Sequence, residues 1–213
     1  MAVAVGLRIV CAATVLAAAL WTVPALAACA PTPECLEEIE QAHRDTRTLT
    51  ARFVQTKHLT LLDAPLVSRG RFALKRPDRL LWRVEDPEPL SVVIDGGELR
   101  VPGGRPAMTG APVAAVAGWL GSMFAGDVRS LERAFDVSAR EDEGAVEVQL
   151  RPREAAWRRF FTVAELRFAR PALTLAAIRL RDALGDSVEI ELHDVRRNDE
   201  VPDSTFAIDA HQR

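Results

Sequence analysis

The sequence predicts a mainly β protein with helices, an α+β fold built on one antiparallel sheet large enough to curl. Three observations predict it. Short alternating apolar runs follow one another from residue 52 to residue 195, with short turn-like connections between them. Two stretches break that alternation with helical spacing, one ahead of the strands and one in their midst. At 213 residues, 48% hydrophobic and 27% charged, the chain has the material for one large core.

Residues 1–28 read as an export signal and leave 29–213 as a single domain. Arg8 supplies the positive start, an apolar run follows from Ile9 to Leu20, and Pro24 breaks it before Ala25-Leu26-Ala27. That run is shorter than the roughly 20 residues a membrane span needs. Two cleavages fit. Cleavage after Ala27 gives a soluble exported protein in which Cys29 and Cys35 could close a small disulfide in an oxidising compartment. Leu26-Ala27-Ala28-Cys29 also matches the pattern cut before a lipid-modified Cys, which would anchor the chain to a membrane and leave Cys35 without that partner. The soluble form is the reading preferred.

From 33 to 48 the spacing predicts a helix. Leu36, Ile39, Ala42 and His43 recur at helical intervals, Glu34, Glu37 and Glu38 load the first turns, and Arg44 and Arg47 sit at the far end, as the helix dipole prefers. Strand signals then cover 52–61, 67–74, 80–84, 92–94 and 98–101. Asp95-Gly96-Gly97 marks a tight hairpin turn. Later runs cover 134–139, 145–151, 161–168, 173–181 and 187–195. In the last, Val188, Ile190 and Leu192 alternate with Glu189, Glu191 and His193, the mark of a strand buried on one face. Within 112–126, Val113, Val116, Leu120, Met123 and Phe124 predict a second helix, started by Pro112 and stopped by Gly126. It reads as a helical cover for one side of the sheet.

Several function classes drop out. A net charge of −3, or −4 once Arg8 is removed, is not that of a nucleic-acid binder. There is no HExxH, no Cys/His cluster with metal spacing and no phosphate loop. Ser122 lacks the second glycine of a nucleophile elbow. His58 and His193 lie among charged neighbours and read as solvated surface residues. No catalytic residue, metal or cofactor is expected.

Two blocks carry a resemblance. The first is Ala51-Arg52-Phe53-Val54-Gln55-Thr56, the Gly70-Arg71-Phe72 strand, Leu74-Lys75-Arg76-Pro77-Asp78-Arg79-Leu80-Leu81-Trp82-Arg83 and Val92-Val93-Ile94-Asp95-Gly96. The second is Ile178, Asp182, Gly185, Asp186, Val188-Glu189-Ile190, Val195, Asn198 and Phe206. In order and spacing the chain resembles the LolA family of periplasmic lipoprotein carriers.

That resemblance implies an incomplete, strongly curved antiparallel β-barrel, a half-barrel, covered by an N-terminal helix and a helical lid. It implies an acyl cavity formed by residues such as Phe53, Phe72, Leu80, Trp82, Val92, Ile94, Leu120 and Phe124. Arg76, in the Lys-Arg-Pro turn, falls on the family's lid latch. The implied passengers are acylated lipoproteins or related lipids, received from an inner-membrane release complex and passed to an outer-membrane acceptor by a monomer. Two other roles use the same fold: an outer-membrane receptor lipidated at Cys29, and a periplasmic lipid-sensing regulator. The sequence departs from the family after Leu99, where Arg100-Val101-Pro102-Gly103-Gly104-Arg105 is expected to end the strand early.

Overall fold

A computed structural model describes residues 33–96, 98–101, 106–109, 118–119, 121–124, 126–158 and 160–207. Helix α1 (Pro33–His43) precedes eleven strands: β1 (Thr48–His58), β2 (Leu66–Lys75), β3 (Arg79–Asp86), β4 (Leu90–Asp95), β5 (Glu98–Arg100), β6 (Pro106–Thr109), β7 (Phe135–Asp142), β8 (Ala145–Pro152), β9 (Val163–Ala169), β10 (Thr174–Arg181) and β11 (Ser187–Arg197). One-turn helix α2 (Ala155–Arg158) lies between β8 and β9, and 3-10 turns lie at Arg129–Arg133 and Asp203–Phe206. Residues 118–119 and 121–124 are helical.

The strands form one antiparallel sheet in the order β6-β5-β4-β3-β2-β1-β11-β10-β9-β8-β7. Every neighbour but one is also a sequence neighbour, as short hairpins require. The exception is β1 with β11, where Phe53 faces Leu192 and Gln55 faces Ile190. The sheet is open, with β6 and β7 at its edges. It is the curved half-barrel expected of the sequence.

Several boundaries differ from those read in the sequence. The first helix ends at His43 rather than near Thr48, because Thr46 N–H donates to the His43 carbonyl and the next residues are taken by the sheet. Asn198, at φ 63, accepts a hydrogen bond from Arg47 N–H at 2.8 Å and donates its own N–H to the Thr48 carbonyl. The strand through Leu99 does end early, at Arg100, but it is not the edge of the sheet. β6 pairs with β5 through Leu99 and Met108, so the Pro102-Gly103-Gly104 run separates two paired strands.

The core lies on the concave face, spread over both halves of the sheet. A smaller cluster of Ala73, Leu81, Val93, Val201 and Phe206 covers the convex face of β2–β4. Lys75 and Arg79 hold that cover in place through Asp203, at 2.6 and 2.8 Å. The two cations keep the Asp203 carboxyl below its usual range, Lys75 foremost. Phe206, a motif residue of the resemblance, therefore packs on the outside of the sheet.

Candidate functional site

The concave face is built from rows of directly paired residues. Ala51, Phe72, Trp82 and Val92 face one another across β1–β4, and Leu49, Leu74, Leu80, Ile94 and Leu99 form the next row across β1–β5. Paired residues share a face, so Trp82 and Val92 point inward with Leu80 and Ile94. Phe53, Phe72, Leu80 and Ile94 are buried. Trp82 and Val92 are half-buried.

Gly70 lets these rings meet. It pairs with Phe53, and a Cβ added there would lie 2.7 Å from Phe53 Cζ and 1.9 Å from the Arg83 carbonyl oxygen. Without a side chain beneath it, the Phe53 ring stacks on Trp82 at 4.0 Å and 20°.

The chain between the two edge strands supplies the cover. Phe124 stacks on Phe72 at 4.1 Å and stands 6.4 Å from Trp82. Trp119 reaches the other half of the sheet, stacking on Phe161 at 5.3 Å and lying 6.1 Å from Phe135. Thus Trp119 and Phe124 between them touch both halves. Gly126, at φ 69, ends this helix: its N–H bonds the Met123 carbonyl while Asp127 N–H reaches Ser122, a Schellman stop. Leu120, the other predicted lid residue, lies outside the described residues. The concave face is thereby occupied by the protein's own side chains.

Helix α1 closes the same side and is strongly tethered. Arg170 donates to both oxygens of Glu38, at 2.7 and 2.8 Å, and to Glu141 on β7. The Arg170 hydrogen bond holds the Glu38 carboxyl below its ordinary value. Arg197 donates to the Ala42 carbonyl, and Glu40 accepts from Arg129 N–H. Cys35 is buried in the concave core. Its expected partner Cys29 lies outside the described residues.

Arg76 sits in the β2–β3 turn, exposed, beside a pocket of about 310 Å³ lined by Glu40, His43, Arg44, Gly126, Asp127 and Arg129. The turn thus brings Arg76 to the end of the lid helix. Its guanidinium makes no hydrogen bond or ion pair with the described residues.

Sequence reading missed two parts of this site. One is the far half of the concave face, where Phe168, Leu166, Ile178 and Ile190 contribute as fully as β1–β4. The alternation of Val188, Ile190 and Leu192 was its visible signal. The other is His43, read as one apolar-face residue among several. It is buried, its Nε2 lies 2.7 Å from the Leu173 carbonyl oxygen, and its ring packs edge-on to Phe168. Among the described residues no group of three His, Cys, Asp or Glu side chains is arranged to hold a metal, and no helix is long and apolar enough to cross a membrane.

Residues 44–209 match the family model described as "Outer membrane lipoprotein carrier protein LolA". The chain belongs to the LolA family. It is 32% identical over 186 residues to the outer-membrane lipoprotein carrier protein of Halorhodospira halophila, covering 80% of this chain and 79% of that one. The corresponding protein of Dechloromonas aromatica is 30% identical over 176 residues, covering 79% and 81%. Among solved structures, the MucA/MucB complex of Pseudomonas aeruginosa matches in fold with a TM-score of 0.50 at 15% identity, covering 83% of this chain and 60% of that one. As a LolA-family chain, it shares its family with proteins named as carriers rather than enzymes.

Proposed function

We propose that this protein is a periplasmic chaperone that shields the acyl chains of lipoproteins or related lipids and shuttles them from the inner to the outer membrane. The observation that carries the reading is the occupied concave face. Phe124 and Met123 are buried there, and they belong to a segment that runs from one edge strand to the other rather than to the sheet.

Such a cover is a removable competitor for an acyl chain. Each buried methylene gains about 0.8 kcal/mol, and burial of a Phe or Met side chain gains about 1.5–3 kcal/mol. Displacing Phe124 and Met123 therefore costs about as much as burying four to eight methylenes returns. A single acyl chain exceeds that, but not by so much that release becomes prohibitive. Cargo is held by differential burial, with no cofactor and no catalytic group.

Arg76 is the latch in this scheme. It stands at the β2–β3 turn across a shared pocket from Gly126, the end of the lid helix, where a guanidinium with five donors can engage the lid terminus as the lid moves. An inner-membrane complex loads the open form, and an outer-membrane acceptor takes the cargo when the lid returns.

Native mass spectrometry of the protein purified from its own periplasm tests the reading. An acylated passenger lost on mild activation is the expected result. A preparation with no passenger that also fails to take up a synthetic triacylated lipopeptide rules it out. An acyl adduct on Cys29 itself would assign the receptor role instead.

A further inference from the structure

The large hydrophobic side chains that stand exposed among the described residues all fall at one end of the sheet. Leu61 and Leu62 are in the β1–β2 loop, Leu66 and Val67 open β2, Leu90 opens β4, Phe160 lies between β8 and β9, and Leu184 is in the β10–β11 turn. Consecutive antiparallel strands reverse at alternate ends, so all of these share the rim opposite α1. Leu61 is 94% exposed and Leu184 80%. Their two loops are fastened together, because Thr60 donates to Asp186 Oδ1 from both its N–H and its hydroxyl, at 2.7 and 2.9 Å. The Asp182 carboxylate in turn accepts from the Leu184 and Asp186 N–H groups, which fixes the second tip.

We infer that this rim docks on a phospholipid bilayer, with the leucine tips entering the headgroup–acyl boundary. The inference rests on the carrier reading, since acyl cargo leaves one bilayer and enters another. Three observations select a bilayer as the occupant. The leucines stand on separate turns rather than on one flat face, and a bilayer, unlike a protein partner, requires no complementary packed core. Lys57, Arg69 and Arg181 stand around the tips with Asp63, Asp86, Glu88 and Asp182, a rim of both signs that suits zwitterionic headgroups, in which Arg69 pairs with Asp86 at 3.5 Å and Arg181 with Glu165 at 3.2 Å. The concave face also runs out to this rim, since Leu66 pairs with Lys57 and Leu90 with Val84 on the inward side. A docked rim therefore opens the cargo face onto the membrane.

Flotation with vesicles of phosphatidylethanolamine and phosphatidylglycerol tests this. The processed protein, carrying Cys29→Ser to exclude any lipid attachment, is compared with the same protein bearing Leu61→Ser, Leu62→Ser and Leu184→Ser. A fluorescent fatty acid titrated into both reports the concave face separately. The reference protein is expected to float, and the triple variant to lose at least about tenfold in partitioning with unchanged fatty-acid binding. Equal flotation of the two overturns the proposal, as does a reference protein that binds fatty acid but does not float. So does a dimer that only the reference protein forms, without flotation. Tip-dependent flotation without fatty-acid binding would uphold the docking rim and overturn the carrier reading instead.

Discussion

The ring of Phe124 lies 4.1 Å from that of Phe72, stacked at 27°, so a residue from outside the sheet packs on the aromatic rings of β1–β3. Removing that ring is expected to have opposite effects on stability and on binding. Phe124→Ala should lower stability by about 3–5 kcal/mol, the usual result of emptying a packed aromatic site. It should also strengthen binding of a fluorescent fatty acid, because the competing side chain is gone. Urea unfolding and fatty-acid titration on the same preparation check both. Weaker binding in the variant would mean that Phe124 holds the cargo rather than excluding it.

Arg76→Leu should still load acylated cargo yet pass it poorly to an acceptor membrane. Arg76→Lys should fall between the two, keeping the charge but losing the planar fork. The measurement is transfer of a radiolabelled lipoprotein from loaded carrier to outer-membrane vesicles. Transfer by the Leu variant at the wild-type rate would reduce Arg76 to a turn residue.

His43 makes stability depend on pH. Burial holds its imidazole below the ordinary value of 6.5, with the Arg197 and Arg76 charges pushing the same way against the Leu173 hydrogen bond. In the folded protein Nε2–H donates to Leu173, and the buried Nδ1 has no partner among the described residues. The unfolded chain takes up a proton at His43 before the folded one does. The stability that the neutral ring contributes is thus complete above pH 6.5 and is lost progressively as pH falls below it. Thermal unfolding measured across that window should show an acid-side decline that is shallower in His43→Gln. Parallel profiles would assign the decline to other groups.

Gly70→Ala should destabilise by at least about 3 kcal/mol, since a methyl there meets the Arg83 carbonyl and the Phe53 ring with no room to yield. Denaturant unfolding would show it. A near-neutral result would mean that β2 and β3 shift register freely.

Cys29 and Cys35 are proposed to be disulfide-bonded in the mature protein. Thiol labelling under denaturing, non-reducing conditions should modify neither, and both after reduction. Labelling without reduction, or an acylated Cys29, would count against the bond.

The fold was legible where one face of a strand meets solvent, as in β11, where Ile190 and Leu192 are buried and Glu191 and His193 exposed. It was less legible in β2–β4. There Phe72, Ala73 and Leu74 are all buried, as are Leu80 and Leu81, because the C-terminal segment covers the convex side. With both faces apolar, alternation cannot say which one is concave. The inward aim of Trp82 follows only once the sheet curls around Phe53 and Phe124. His43 was hidden for a similar reason: its spacing on α1 is that of any core residue, and Leu173, 130 positions away, supplies its partner.

The β1–β11 pairing has a consequence for how the molecule is made. Synthesis delivers a chain from its N-terminus, so β1 to β6 emerge as an incomplete meander whose β1 edge has no neighbour. That edge waits for a strand at the opposite extremity of the sequence. Loop closure over that distance is slow, and an unpaired strand edge is adhesive in the meantime. Maturation of this protein is therefore gated by its final strand: any truncation that removes β11 leaves two half-sheets, each with a permanently unmatched border, and no vessel.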